Sequence, residues 1–190
     1  MAPDPLVSPA APGQLTTRTV YQNNWMRVRE DTYAQQNGTV VTYGVVDKSD
    51  FAVVIAEEDG AFHLVEQFRY ALGRRLWEFP MGTWSAGQSG SVEELARREL
   101  LEETGLTAAT WRQVSGRLHQ ASGFCSQGFT VFHATDLTAG PHAREDTEAD
   151  MVHALVGEAE FRAMIADGRI VDAPTVTAYA LLRMGLPVRA

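Results

Sequence analysis

Cysteine is nearly absent: Cys125 is the one thiol in 190 residues. A single thiol excludes an internal disulfide framework and suits a reducing compartment, so a cytoplasmic location is expected. Long apolar runs are absent as well. The longest, such as Phe51–Ala56, fall far short of the roughly eighteen residues a membrane span needs, and no membrane partner is expected. No basic segment followed by an apolar stretch opens the chain, so no secretory signal is read. Positive charge is scarce, with 16 Lys+Arg against 24 Asp+Glu and a formal net charge of −8. That balance argues against nucleic acid held on a broad basic face, and any anionic substrate must be met by local arginines or a metal. The five histidines are scattered, without an HExxH pair, and nothing offers the Cys/His set that zinc prefers. What is present lies near the globular average, 45% hydrophobic and 21% charged, enough for a sizeable core in one domain plus an arm.

Residues 1–14 hold four of the eight prolines and almost no large apolar groups. Such a stretch cannot bury enough surface to offset its ordering entropy, so residues 1–15 are expected to be a flexible arm. From Thr16 to Asp47 the pattern suggests short strands, with candidates at Trp25–Val28 and Val40–Val46 and a hairpin signal at Asn37-Gly38 between them, both positions tolerating positive φ. Phe51–Ala56 and Phe62–Phe68 read as a hairpin around Glu57–Gly60. Trp111–Leu118, Phe129–Ala134 and Met151–Val156 read as further strands, Glu158–Asp167 and Pro174–Met184 as helices. The expected organisation is an N-terminal β subdomain over 16–47 and a main domain over 48–190. Strands before, between and after a few helices imply an α+β fold with a mixed sheet.

The clearest helix runs from Ser91 to Thr104. Ser91 and Glu94 make a capping box, and Gly105 stands where a left-handed cap belongs. On a helical wheel with Val92 at zero, Leu95, Ala96 and Leu100 spread from about −60° to +80°. Glu99 and Glu103 fall at about −20° and +20°, in the middle of that apolar stripe, with Glu102 at its edge. Two readings stand open. In one, this is a solvated helix whose acids pair with Arg97 and Arg98. In the other, a divalent cation sits over the face, since uncompensated carboxylates turned toward a core cost several kcal/mol, roughly, each. Three hard oxygen donors suit Mg²⁺ or Mn²⁺.

The string Arg98-Glu99-Leu100-Leu101-Glu102-Glu103-Thr104-Gly105-Leu106 resembles the core of the Nudix box, G-x5-E-x7-R-E-U-x-E-E-x-G-U with U a bulky aliphatic. Glu78-Phe79-Pro80-Met81-Gly82 resembles the E-(L/F)-P-A-G segment that opens it, followed by a loop two residues longer than the pattern. The first box Glu is replaced by Gly90. In the family that Glu is thought to hold the arginine, so a reshaped Thr83–Ser89 loop and a less supported Arg98 are expected. Val65–Tyr70 resembles the V-x-Q-(Y/F)-R-Y strand of ADP-ribose pyrophosphatase-type members, and Gly168–Thr175 their closing G-x-I-x-D-x-x-T. Tyr21–Asp47 resembles their small strand domain, used to dimerise and clasp the adenine. Two further departures are Ala121-Ser122-Gly123-Phe124 where such members have S-P-G-F, and Gln127 where they often have Glu.

The resemblance implies a Nudix-type α/β/α sandwich preceded by a small antiparallel β domain. It implies metal-dependent hydrolysis of a nucleoside diphosphate linked to another moiety, with ADP-ribose or an NDP-sugar first among candidates. A ligand-sensing module with feeble turnover, or an enzyme on another diphosphate such as a dinucleoside polyphosphate, are the alternatives. By motif position Glu99, Glu102 and Glu103 become metal ligands, with the Met81 carbonyl completing the set around Mg²⁺ or Mn²⁺. Glu148, with Glu145 second, becomes the acceptor for the attacking water's proton. Arg69 is the candidate phosphate clamp, its planar fork matching two phosphate oxygens. Glu78, Arg98 and Phe124 join it as substrate-side residues. Trp25 either stacks a nucleobase or serves as a core or dimer contact, and Trp84, inside the longer loop, is a candidate wall of the pocket. A small-molecule nucleoside diphosphate derivative and a homodimer partner complete the expectation.

Overall fold

The computed structural model describes residues 13–85, 87–141 and 150–185. The chain divides into two compact units, Met1–Lys48 with Ala121–Ser126, and Ser49–Gln120 with Gln127–Ala190.

The first unit is an antiparallel sheet in the order β1-β2-β3, from β1 (Gly13–Gln22), β2 (Arg27–Ala34) and β3 (Val40–Asp47). β1 begins at Gly13, inside the stretch read as an arm; residues 1–12 lie outside the described residues. Every residue of β1 is exposed, so no burial imposes the alternation by which a strand is recognised. Trp25 and Met26 are not strand residues. Their N–H groups both donate to Asn23 Oδ1 at 2.9 Å, an Asx turn that joins β1 to β2. At the next turn Gly38 N–H donates to the Gln35 carbonyl and Gln35 N–H to the Thr39 carbonyl, both at 2.9 Å. Only Gly38 of the Asn-Gly pair takes a positive φ, 81°, so the hairpin has a wider loop than the two-residue form expected. Residues 121–126 lie along β3: Val46 N–H donates to the Phe124 carbonyl at 2.8 Å, and Ser126 N–H to the Val46 carbonyl at 3.0 Å.

The second unit is a sheet in the order β11-β5-β4-β10-β8, with three short strands paired to it. Its elements are β4 (Phe51–Glu58), β5 (Ala61–Arg69), β6 (Arg74–Glu78), β7 (Met81–Gly82), α1 (Val92–Thr104), β8 (Leu106–Gln113), β9 (Leu118–His119), β10 (Gly128–Ala139), β11 (Val152–Gly157), α2 (Glu158–Ala166) and α3 (Ala173–Met184). β4 and β10 are parallel and the other pairings antiparallel, which makes the sheet mixed. The strand read as Trp111–Leu118 is instead β8, beginning five residues earlier at Leu106, with β9 separate. Small Ala and Thr side chains over 107–110 hide its alternation, and it lies at one end of the sheet where a face can stay wet.

The continuous apolar run of β4 has a simple cause: both of its faces are covered. Phe51, Val53 and Ile55 point into a core with Phe62, Leu64, Phe79 and, from α2 and α3, Phe161, Met164, Ala178 and Leu182. Ala52, Val54 and Ala56 point the other way, into a second core with Leu95, Ala96 and Leu100 of α1 and Phe132 and Ala134 of β10. Helices therefore lie on opposite faces of one sheet, the expected α/β/α sandwich. Ser91 caps α1 through a complete capping box, and Gly105 closes it at φ 74°. Asp172 caps α3 by accepting from Thr175 N–H at 2.9 Å. Buried Thr175 Oγ1 in turn accepts the Phe79 N–H at 3.0 Å. The closing motif thus pins α3 to the segment just before β7.

Candidate active site

α1 packs its apolar stripe on β4, and the acids within that stripe go with it. Glu99 is 6% exposed and Glu103 1%; Glu102, at the stripe's edge, is partly buried. These values exclude the solvated-helix reading. β7 lies beside this face, paired to β4 at Val53↔Met81 and Ala52↔Gly82. Glu103 Oε2 accepts the Met81 N–H at 3.1 Å. A Cβ on Gly82 would overlap the Glu99 carboxylate, with even the farther oxygen at 2.8 Å. The glycine is there for space, so that β7 and a carboxylate can touch. Glu102 Oε1 accepts from Arg98 Nε at 2.7 Å. Arg98 Cζ also lies 5.8 Å from the centre of the Trp84 ring. Arg98, expected to be less supported for want of the first box Glu, is contacted here by the Glu102 carboxylate and the Trp84 ring.

The donor chemistry of this face, three carboxylates and a nearby backbone carbonyl, fits a hard divalent cation. Glu102 and Glu103 are engaged by Arg98 and the Met81 N–H. Accordingly, among the described residues, no three His, Cys, Asp or Glu side chains converge as a ready metal cage. The Arg98 contact uses one Glu102 oxygen, so Glu102 can ligate through the other with that hydrogen bond kept.

Glu78 ends β6 and is fully buried, paired in register with Val65 of β5. Its Oε2 accepts from Arg69 Nε at 3.2 Å, and its Oε1 forms an ion pair with Arg69 Nη2 at 2.7 Å. Burial pushes the carboxyl up to about 7 even though the Arg69 charge pulls it down, with Asp172 adding to the rise. Glu78 thus fixes Arg69 while 37% of the arginine side chain stays accessible. Arg75, by contrast, is committed to Glu66 and Asp150, donating to a carboxylate and a carbonyl of each at 2.7–3.0 Å.

Trp25 and Phe124 belong to the other unit, 75% and 58% exposed. Glu148 and Glu145 lie outside the described residues. Gln127, read as a departure, is buried and donates its amide N–H to the Ser49 carbonyl at 2.7 Å, a bond no carboxylate there could make. One cluster escaped sequence reading: Asp50 accepts both arms of Arg117 at 2.6 and 2.9 Å and the Gly128 N–H at 2.7 Å. Nothing in the spacing of these residues signals it.

The fold and this carboxylate-bearing helix define a Nudix domain, and comparison with known proteins agrees. The NUDIX domain description matches residues 47–178, and the nucleoside diphosphate sugar hydrolase N-terminal domain matches residues 14–46. The chain belongs to the Nudix family and is a hydrolase of it. Among its relatives, an ADP-ribose pyrophosphatase of Mycobacterium tuberculosis is 35% identical over 162 residues, 83% of this chain and 76% of that protein. An ADP-ribose pyrophosphatase of Bacillus subtilis is 31% identical over 134 residues, 70% of this chain and 71% of that protein. The methanol dehydrogenase activator of Bacillus methanolicus is 25% identical over 174 residues, covering 90% and 91%. A solved structure described as an ADP compounds hydrolase shares the fold, with a TM-score of 0.81 at 21% identity over 94% of this chain and 95% of that one.

Proposed function

We propose that the protein hydrolyses the pyrophosphate bond of a nucleoside diphosphate linked to a second moiety, ADP-ribose or an NDP-sugar, releasing a nucleoside monophosphate and a sugar phosphate. The observation that carries this reading is the burial of Glu99 and Glu103 against β7 on an otherwise apolar helix face. The relatives named ADP-ribose pyrophosphatase support the substrate class. Glu99, Glu102, Glu103 and the Met81 carbonyl would hold Mg²⁺ or Mn²⁺. The bound cation would neutralise phosphate oxygens that otherwise repel the attacking water. Arg69, steadied by Glu78, binds the diphosphate. Glu148 accepts the water's proton, and Trp25 and Phe124 contact the nucleoside side. The protein works as a homodimer in the cytoplasm, the setting that lone Cys125 suits.

The test is a panel of ADP-ribose, GDP-mannose, UDP-glucose, diadenosine polyphosphates and NADH with Mg²⁺ or Mn²⁺, followed by release of phosphatase-sensitive phosphate. Turnover of a nucleotide sugar is expected, lost on chelation and restored by the metal. Glu103→Gln should lower the rate on the order of a thousandfold with the fold intact by circular dichroism. Unchanged turnover in that variant would refute the metal platform. Tight binding of one nucleotide without turnover of any compound would favour the sensor reading.

A further inference from the structure

The loop from β7 to α1 brings the Trp84 ring back onto the helix. Trp84 packs on the apolar cluster of Ala52, Val54, Leu95 and Leu100, and the ring faces the Arg98 guanidinium at 5.8 Å. Against the ring's edge lies Gly90, the position that carries a carboxylate in the Nudix pattern. A Cβ at Gly90 would stand 2.8 Å from Trp84 Cζ2 and 2.9 Å from Glu94 Oε2. Ring and side chain exclude one another at that point. Arg98 and Glu102, joined at 2.7 Å, keep only 24% and 18% of their side chains accessible.

We propose that Trp84 is the positioning residue that holds Arg98 on Glu102, in place of a carboxylate that position 90 cannot carry. Three physical effects act together. The face of the indole attracts the guanidinium. The ring also excludes water, so the Arg98–Glu102 hydrogen bond works in a low dielectric where it is stronger than on an open surface. Finally, a ring fixed by packing limits the orientations open to a long arginine. The orientation of Glu102 thereby becomes defined, as an outer layer of contacts defines a metal ligand. The longer loop and the loss of the carboxylate are then one coupled change. The consequence for metal binding rests on the reading of α1 as a metal platform; the contact itself does not.

Two readouts decide it. In ¹⁵N-labelled protein kept in chelator, the Arg98 Nε–Hε resonance, identified by its disappearance in Arg98→Lys, should be ring-shifted and slow to exchange. Trp84→Phe should keep it so, whereas Trp84→Leu should move it to the position of exposed arginines, exchanging faster by about tenfold. Mn²⁺ affinity, read from free ion by electron paramagnetic resonance, should weaken about tenfold in Trp84→Leu and stay within about twofold in Trp84→Phe. Gly90→Ala, whose Cβ presses on the ring and on Glu94 Oε2, should reproduce the loss. It serves as the decisive variant if Trp84→Leu fails to fold. The proposal is overturned if Trp84→Leu matches the wild type in both readouts. A Trp84→Phe loss as large as that of Trp84→Leu overturns it too, since the ring then only fills space. Absence of turnover on every nucleotide would sink the hydrolytic reading. The resonance comparison, which needs neither metal nor substrate, would still decide the role of Trp84.

Discussion

At the scale of single residues, the site is built from groups whose surroundings contradict their chemistry. Glu78 is a carboxyl with no access to water, lifted by burial to about 7 from an ordinary 4.5. Below about pH 4.5 it is protonated in both folded and unfolded chains, and its contribution to stability is complete. As pH climbs toward and through 7 the unfolded chain has already released this proton while the folded one must ionise a buried group. Stability is lost over that window, on the order of 3 kcal/mol. Metal-free protein should therefore show a urea midpoint that falls between pH 5 and 8, and Glu78→Gln should flatten that fall. Equal slopes would assign the titration to another group. Gly82 sets the opposite kind of constraint. Gly82→Ala places a methyl group on the Glu99 carboxylate, and turnover should fall about ten- to a hundredfold, with a smaller change in melting temperature. An alanine variant of full activity would show that β7 and Glu99 need not touch. Glu99 and Glu103 were legible as misplaced acids because helical period alone puts them on the buried side. The buried pairing of Arg69 with Glu78 was not, since it joins β5 to β6 across nine residues with no periodic signature.

At the scale of elements, α1 is the platform and its ends are specified locally. The capping box at Ser91 satisfies two N-terminal N–H groups, and Gly105 at φ 74° lets the chain turn straight into β8. Ser91→Ala should destabilise the protein by about 1 kcal/mol, read as an earlier thermal transition, with KM for substrate little changed. A loss of activity without a loss of stability would mean that the cap also shapes the neighbouring loop. These ends were readable because caps are short-range hydrogen bonds between residues three or four apart. β8 was misread for the complementary reason. Its Thr and Ala residues become a strand by pairing with Thr135–Ala139 of β10, a partner that no local pattern announces.

At the scale of the whole molecule, the chain divides by contact rather than by order, with 121–126 grouped with the N-terminal sheet. That unit carries an unusual load of exposed apolar groups, among them Leu15, Val20, Tyr21, Trp25 and Val40, each more than half exposed. A surface of this kind calls for cover, which supports the proposed homodimer. Sedimentation equilibrium should return twice the chain mass of 20.9 kDa, and Val20→Glu with Val40→Glu should halve it. A wild-type monomer would contradict the dimer reading.

The order of residues by itself determined α1, its caps and the placement of its acids on the apolar stripe. All of these follow from periods and hydrogen bonds that span a few residues. Only the folded chain decided that Trp84 stands where Gly90 leaves room. The same is true of Glu78 locking Arg69 and of Gln127 donating to Ser49. Each of these contacts joins separate segments, and its strength comes from water excluded by packing, a quantity that exists only once the segments have met.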